Sequence, residues 1–312
     1  MHIPDGFVDA KTAVATGVLS AAGVGVALAQ VRRHLPRAKV PLLGVTAAFV
    51  FAAQMLNFPV AGGTSGHLVG AVLAAVLLGP SAAVIVLTAV LAVQCFLFAD
   101  GGVTALGANV FNMGIIGGFG GYVVYRLARK IVSGTRGVVT AAAFAGWCSA
   151  VVAAICCAGE LASSGTVAWK VAFPAMAGVH MLIGIGEGVI TALVLVAVAR
   201  VRPELVTDDS PTVAPSLGAV VGFGSVAALG LALFVSPFAC KWPDGLEKVA
   251  ATLGFEHQAT GKPLLAAPIP NYLLPGLKSP AVATALAGVF GTVIVFGLAW
   301  LLAGVLVPKE SR

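Results

Sequence analysis

Long runs of apolar residues constrain this chain more than any other feature of its sequence. A transmembrane helix requires about 20 consecutive apolar residues, and runs of this kind recur along most of the 312 residues. Hydrophobic residues make up 59% of the chain and charged residues only 10%, whereas a soluble domain carries about 25% charged residues. We therefore predict an all-α membrane protein that crosses the bilayer several times.

The apolar runs correspond to about nine transmembrane helices. They cover approximately 11–31, 40–57, 67–78, 81–98, 106–127, 137–158, 171–199, 215–238 and 280–306. The run at 67–78 is short and is followed by Gly79 and Pro80. Because glycine and proline interrupt helices, residues 67–98 form either one kinked helix or two helices in a hairpin.

The arginine positions favour the hairpin. With two helices in 67–98, all arginines fall on one side of the membrane, together with Lys39, Lys130 and Lys309. These arginines are Arg32, Arg33, Arg37, Arg126, Arg129, Arg136, Arg200, Arg202 and Arg312. Positively charged loops stay in the cytoplasm, which predicts an outer N-terminus and a cytoplasmic C-terminus in the cell inner (plasma) membrane. One kinked helix would divide the arginines between both sides.

The formal net charge of +6 is explained by this topology, since the basic residues form short clusters between apolar runs. Membrane lipid is therefore the expected environment, and nucleic acid is not an expected partner. The five cysteines have no CxxC spacing, so they indicate neither a disulfide framework nor a zinc site. The chain opens with Asp5 and Asp9 instead of the basic region of a signal peptide. We expect Met1 to remain in the mature protein.

Three segments are predicted from composition. Residues 1–200 form a seven-helix membrane part, and residues 201–214 form a polar, proline-containing cytoplasmic linker. Residues 215–312 form a two-helix part with an extracytoplasmic loop at 239–279.

The first two residues form a candidate metal chelator. A free α-amine at Met1, the backbone amide of His2 and the His2 imidazole provide three nitrogen donors in fused chelate rings. Such rings are nearly planar and contain a deprotonated amide, which suits the square-planar geometry of Ni(II) or Cu(II). A planar set of this kind requires a fourth donor.

His67 is the candidate for that fourth donor. The predicted topology places it on the outer face with Met1, after a glycine-rich loop at 57–66 whose backbone permits close approach. Imidazole is a suitable ligand for nickel or cobalt. Polar side chains of this loop are candidates for orienting His67 as an outer shell of the site. They are Asn57, Thr64 and Ser65.

Several motifs in this region resemble the CbiM/NikM family. They are Met1-His2-Ile3-Pro4-Asp5-Gly6-Phe7, Gln54-Met55-Leu56-Asn57-Phe58-Pro59-Val60 and Gly62-Gly63-Thr64-Ser65-Gly66-His67-Leu68. The resemblance covers about residues 1–200. The loop segment Pro243-Asp244-Gly245-Leu246-Glu247 resembles the NikN-type accessory component that is known for its PDGLE signature.

The resemblance implies a substrate-binding membrane component of an energy-coupling factor (ECF) transporter for nickel or cobalt. It implies metal bound by the Met1 amine, the His2 amide and imidazole, and the His67 imidazole. The fused accessory part favours nickel over cobalt. The only Gly-Lys pair, Gly261-Lys262, is followed by proline, so the chain has no P-loop and we expect no enzymatic activity of its own. The coupling transmembrane (T) subunit and ATPase (A) subunits would then be separate chains.

His180 and Glu187 are ionisable residues at predicted membrane depth. They lie seven residues apart on one helix face, and intramembrane ionisable groups mark functional sites by default. They are candidates for a proton relay or a metal transit site, and the alternative is a structural pair that fixes helix packing. The relay interpretation supports a second hypothesis, a secondary metal permease driven by a proton or cation gradient.

Overall fold

The computed structural model describes residues 1–206, 217–260 and 264–308. Within these ranges, six helical segments are long and apolar enough to span a membrane. Five are α1 (Ala10–His34), α4 (Pro80–Phe98), α7 (Gly134–Ser163), α8 (Trp169–Val201) and α11 (Pro280–Leu306). The sixth covers Gly218–Phe238 and contains most of α9 (Leu217–Gly230). The prediction of a multi-pass helical membrane protein is confirmed.

Two further predicted spans are helical but shorter or irregular. Helix α2 covers Val40–Gln54, and its 15 residues extend about 22 Å at 1.5 Å per residue. The span predicted at 106–127 begins as α5 (Leu106–Asn109), continues as a π-helix at Val110–Gly120 and ends as α6 (Gly121–Ala128). Insertions of π-helix are rare and widen the helix locally.

Residues 67–98 form two helices instead of one kinked helix. Helix α3 covers Ala71–Leu78 and is separated from α4 by Gly79, whose φ of 91° is readily adopted only by glycine. Helix α3 is about 12 Å long, too short to span a bilayer alone. The preceding residues 67–70 are not helical, although the sequence predicted a helix from residue 67.

A short β-hairpin replaces the loop expected at 57–66. Strand β1 (Phe58–Val60) pairs antiparallel with β2 (Thr64–Gly66), and Pro59 lies opposite Ser65. The turn contains Gly62 and Gly63 at φ of 84° and 71°. Glycine reaches these angles without the steric cost of a Cβ atom, which explains the tight turn.

The C-terminal part, within residues 215–312, packs directly on the first part, residues 1–200. Helix α11 lies against α2 and α4, and α9 lies against α2. At Gly291 a Cβ atom would lie 2.2 Å from the Phe51 ring, so the glycine permits this close approach. Small residues generally allow membrane helices to pack closely, since association depends on van der Waals contact.

Two regions differ from the predicted boundaries. The predicted linker 201–214 begins within α8 and a 3₁₀ turn at Pro203–Leu205, and its residues 207–214 lie outside the described part. The loop 239–279 contains a helix, α10 (Gly245–Leu253), that was not predicted. Its N-cap Asp244 and Glu247 form a reciprocal capping box, a pattern that the sequence D-G-L-E already contains.

Glu187 supports the beginning of α3 from the neighbouring α8. Its carboxylate accepts hydrogen bonds from the backbone N–H groups of Val69 at 2.5 Å and Gly70 at 3.0 Å. The first N–H groups of a helix have no partner within that helix. The buried Glu187 carboxylate supplies acceptors next to this helix start.

Replacing Glu187 with alanine is expected to destabilise the protein. Two buried N–H groups would lose their acceptor, at a cost of at least about 2 kcal/mol. The measurement is thermal unfolding in detergent, with the exposed neighbour Val189→Ala as control. Glu187→Gln keeps one carbonyl acceptor and should lose less stability than Glu187→Ala. Equal stability of Glu187→Ala and the wild type would contradict the capping role.

Candidate metal centre

The N-terminal segment, residues 1–7, lies inside the protein, against the helices. Ile3 has 0% and Phe7 3% of its surface exposed. Asn109 holds the backbone of Ile3 on both sides, because its Oδ1 accepts from the Ile3 N–H at 2.8 Å and its Nδ2 donates to the Ile3 carbonyl at 3.1 Å. The Gly102 N–H also donates to that carbonyl, at 2.8 Å. These bonds determine where Met1 and His2 lie.

Asp5 anchors the segment from its other end. Its Oδ1 accepts from the Thr104 N–H at 2.8 Å and from the Thr104 hydroxyl at 2.6 Å. Its carbonyl accepts from the N–H of Thr260, which belongs to the C-terminal part, at 2.8 Å. The two parts of the chain therefore both hold the N-terminal segment.

The Met1 amine contacts two groups that are distant in sequence. It forms a short contact with Nε2 of His67. It also forms an ion pair with Oδ2 of Asp244 at 3.2 Å. All three residues have little solvent exposure, which strengthens an electrostatic interaction relative to water.

The His67 imidazole has a defined tautomer at this position. Its Nδ1 lies 3.1 Å from the carbonyl oxygen of Leu68. A carbonyl only accepts hydrogen bonds, so Nδ1 carries the proton and Nε2 presents a lone pair to Met1. This is the arrangement of a histidine whose Nε2 binds a metal and whose other nitrogen is held by an acceptor.

His2 lies beside His67 with its ring stacked on it. The ring centroids are 5.1 Å apart and the planes differ by 25°. His2 Nε2 lies 3.1 Å from Oε1 of Gln94, and Nδ1 lies 3.2 Å from Oδ1 of Asp100. Among the hydrogen bonds of the described residues, none uses the backbone N–H of His2.

Burial and nearby charges shift the pKa values of two groups beside the Met1 amine. Burial lowers the pKa of the His2 imidazole more than the carboxylates of Asp100 and Asp244 raise it. Burial raises the pKa of the Asp244 carboxyl, but the Met1 ammonium group and the Glu247 N–H lower it further, so it lies well below its usual value. The structure therefore favours a neutral imidazole beside an ionised carboxylate.

The predicted outer-shell residues of His67 form hydrogen bonds with the C-terminal part. The Ser65 hydroxyl donates to the Trp242 carbonyl at 2.8 Å, and the Thr64 hydroxyl donates to the Pro243 carbonyl at 3.1 Å. The Asn57 carbonyl accepts from the Cys240 N–H at 2.8 Å. These hydrogen bonds hold the loop before α10 and none of them reaches His67, and an outer-shell role of the three residues stays a prediction.

His180 and Glu187 do not bond to each other. The His180 Nδ1–H donates to the Met176 carbonyl at 2.9 Å, whereas Glu187 holds the start of α3. The His180 ring lies against Gly245, where a Cβ atom would be 2.7 Å from Cε1. His180 also lines a cavity of about 20 Å³ with Met1 and His67. His180 and Glu187 therefore make separate hydrogen bonds to different backbone groups.

A larger cavity lies between the histidines and the loops that carry Pro243 and Tyr272. It has a volume of about 760 Å³ and is lined by His2, His67 and Asp100, among others. The Tyr272 hydroxyl donates to Oδ2 of Asp100 at 2.5 Å, which fixes the carboxylate that faces His2. The described residues contain no group of three or more His, Cys, Asp or Glu side chains with metal-site geometry. The cluster of Met1, His2 and His67 contains only two such side chains, because its other candidate donor is the main-chain amine of Met1.

Sequence reasoning did not identify three contacts of this centre. Asp244 pairs with the Met1 amine, Gln94 binds His2, and Asn109 holds Ile3. Gln94 is a polar residue with 0% exposure within the apolar α4, which is the signal that would have marked it. For Asp244 the capping pattern reveals the helix but gives no information about the contact with Met1.

Comparisons with known proteins find a family match for each part of the chain. Residues 2–205 match the family described as cobalt uptake substrate-specific transmembrane region, CbiM, and residues 218–308 match the PDGLE domain. Over 305 residues the chain is 40% identical to a putative fused nickel transport protein NikMN of Archaeoglobus fulgidus, covering 97% of this chain and 98% of that protein.

Two other matches cover the first part of the chain. A putative cobalt transport protein CbiM of Methanococcus voltae is 34% identical over 209 residues, which are 66% of this chain and 94% of that protein. The crystal structure of a transition metal transporter has a TM-score of 0.59 and 37% identity, covering 64% of this chain and 93% of that chain.

The fold and these matches define a multi-pass membrane protein of the transition-metal transport class. Within that class, the chain belongs to the CbiM family and carries a fused PDGLE domain.

Gly102→Ala is expected to loosen the N-terminal segment. A Cβ atom at Gly102 would lie 2.3 Å from the Asp5 nitrogen, so the segment would have to shift. Overpacking costs about 1–3 kcal/mol, which corresponds to about 5- to 150-fold faster hydrogen exchange of the amides of Ile3, Asp5 and Gly6 if local opening limits exchange. Hydrogen–deuterium exchange with mass spectrometry measures this rate.

Gly25→Ala in α1 is the matched control, because a Cβ atom there has no neighbour within 4 Å. Unchanged exchange of the N-terminal amides in Gly102→Ala would contradict the inserted position of the segment.

Proposed function

We propose that this protein captures Ni²⁺, with Co²⁺ as the alternative substrate, through the Met1 amine, the His2 amide and imidazole, and the His67 imidazole. The observation that carries the proposal is the contact of the Met1 amine with His67 Nε2 beside the stacked His2 ring. These nitrogens lie together on the non-helical segments at one end of the helical bundle.

The hydrogen bonds of the two imidazoles support this donor set. A chelate that includes the amide nitrogen of His2 closes through Nδ1 of the same residue, because the path from the amide to Nδ1 makes a six-membered ring with the metal. Gln94 Oε1 holds the Nε2–H of His2, so Nδ1 carries the lone pair that the chelate requires, and this nitrogen would turn from the Asp100 carboxylate, 3.2 Å away, to the metal. Leu68 holds Nδ1–H of His67, which leaves Nε2 for the metal. Each histidine thus offers the nitrogen that the chelate requires.

The chemistry of these donors favours nickel. A deprotonated backbone amide and imidazoles form the square-planar nitrogen set that suits Ni(II). The relative from Archaeoglobus fulgidus, which is similar over nearly its whole length, is described as a fused nickel transport protein. The relative from Methanococcus voltae, which covers only the first part, is described as a cobalt transport protein. Cobalt therefore remains the second candidate.

We also propose nine crossings, with the N-terminus outside and the C-terminus in the cytoplasm. Several contacts support one consistent assignment of faces. The Thr166 hydroxyl donates to the Phe7 carbonyl at 2.5 Å, and Thr260 binds Asp5, so both loops share the face of the N-terminus. At the opposite end, the Arg37 guanidinium donates to the Val307 carbonyl at 3.0 Å.

The turn between α3 and α4 fits the same assignment. Gly79 and Pro80 line a cavity with His34 and Leu35, which follow the arginine-containing end of α1. Asp100, after the other end of α4, contacts His2. Residues 67–78 would therefore cross once, partly as extended chain, which is tolerated at membrane depth where it is buried in protein.

The chain is proposed to act as the substrate-binding component of an ECF importer in the inner membrane. Residues 1–200 would bind the metal, residues 201–214 would link the parts, and residues 215–312 would form the accessory part. Separate T and A subunits would provide coupling and ATP hydrolysis. The alternative of a gradient-driven permease loses support because Glu187 and His180 are hydrogen-bonded to backbone groups.

A Gly-Ser extension before Met1 is expected to abolish high-affinity nickel binding. The amine would be replaced by a peptide nitrogen and moved away from His67. Because loss of an outer-shell partner alone costs 10–100-fold in affinity, we expect Kd to rise at least about 100-fold. His2→Ala and His67→Ala should have the same direction of effect. Competition with a chromogenic chelator in detergent measures Kd.

The control is the same Gly-Ser extension after Arg312, which should bind nickel as the wild type does. High-affinity binding by the N-terminally extended protein would contradict the proposed donor set.

Nickel uptake into cells is expected to require the partner ATPase. Accumulation of radioactive ⁶³Ni²⁺ should fall to background when the P-loop lysine of the A subunit is replaced, while the isolated chain still binds nickel. Uptake that persists without the ATPase and collapses with an uncoupler would instead support the permease.

A further inference from the structure

Asp244 brings a carboxylate from the C-terminal part to the N-terminal amine. Its two oxygens have different partners. Oδ1 accepts from the Glu247 N–H at 2.9 Å as the N-cap of α10, and Oδ2 faces the Met1 nitrogen at 3.2 Å. The helix cap requires only one oxygen, so capping does not explain the position of the second.

The loop that carries Asp244 is held in place next to the histidines. The Ser65 N–H donates to the Pro243 carbonyl at 2.8 Å, and the Ser65 hydroxyl donates to the Trp242 carbonyl at 2.8 Å. On the other side, Gly245 lies against the His180 ring so closely that a side chain would not fit. The β-hairpin and α8 therefore position this carboxylate from two directions.

The charge of the proposed complex explains why a carboxylate is useful there. A divalent cation with one deprotonated amide, a neutral amine and two neutral imidazoles retains one net positive charge. A buried net charge is unfavourable unless it is paired. Asp244 has little exposure and carries the opposite charge.

We propose that Asp244 is a positioning and charge-compensating residue of the metal site, contributed by the fused PDGLE domain. It holds the Met1 amine near His67 before the metal arrives, and its charge balances the complex afterwards. This inference rests on the proposed function, since it assumes metal bound at Met1, His2 and His67. It assigns the accessory domain a direct role in metal affinity.

The test is the affinity of Asp244→Asn for Ni²⁺, measured by chelator competition on the full chain in detergent. Asparagine caps helices as well as aspartate does, so α10 should be retained, and any fall in the thermal unfolding temperature reports the lost pair with the buried Met1 amine. The substitution removes the charge and turns a donor toward the amine. We expect nickel affinity to fall 10–100-fold, the range for partners that act through a ligand.

Asp9→Asn is the matched control. Asp9 is also a helix N-cap, its Oδ1 accepts from the Thr12 N–H at 2.9 Å, and it has no contact with Met1, His2 or His67. It should leave nickel affinity unchanged. An equal loss in Asp9→Asn and Asp244→Asn would overturn the proposal, because the effect would then be general charge at the outer face. Wild-type affinity in Asp244→Asn would also overturn it.

Ser65→Ala provides an independent test. If Ser65 acts by positioning Asp244, its removal should weaken nickel binding in the wild type and have no added effect in Asp244→Asn. Additive losses would overturn the positioning argument. Asp244→Ser, another capping residue without charge, replaces Asp244→Asn if that variant does not fold.

These outcomes separate the inference from the proposed function. If the wild type does not bind nickel, or binds it equally after N-terminal extension, the proposed function fails. If the wild type binds nickel through its N-terminus and Asp244→Asn binds it equally, only the role of Asp244 fails.

Discussion

The buried contact of the Met1 amine with His67 and Asp244 is the interaction on which this end of the structure depends. It joins the chain start, the segment before α3 and the loop before α10. A buried ammonium group is costly unless it is paired and hydrogen-bonded. The structure meets this requirement with the His67 imidazole and the Asp244 carboxylate, so both groups must be held in fixed positions.

The surrounding structure holds this end of the chain through backbone hydrogen bonds. Asn109 holds Ile3 on both sides, and Asp5 binds Thr104, so the N-terminal segment behaves as part of the helical core. Glu187 holds the beginning of α3, which follows His67 by only a few residues. Glu187, which with His180 suggested ion transit from the sequence, therefore holds the non-helical chain beside the centre.

The fused domain is part of the same centre instead of a separate appendage. Ser65 and Thr64 bind the backbone of the loop that carries Asp244, and Thr260 binds Asp5. The sequence alone assigned Ser65 and Thr64 to His67, since they are close to it along the chain. In the structure Ser65 pairs across the hairpin with Pro59 and reaches the neighbouring loop. The hairpin turns these side chains toward the second part, so their hydrogen bonds go to the loop before α10.

The sequence by itself determined the helical membrane class, the break at Gly79 and the candidate nitrogens of Met1, His2 and His67. These depend on local properties: apolar length, backbone freedom and donor chemistry. Only the tertiary structure decided that Asp244 meets the Met1 amine and that Gln94 faces His2. Such contacts join residues that are far apart in the chain, and they arise from helix packing and loop docking, which no local pattern encodes.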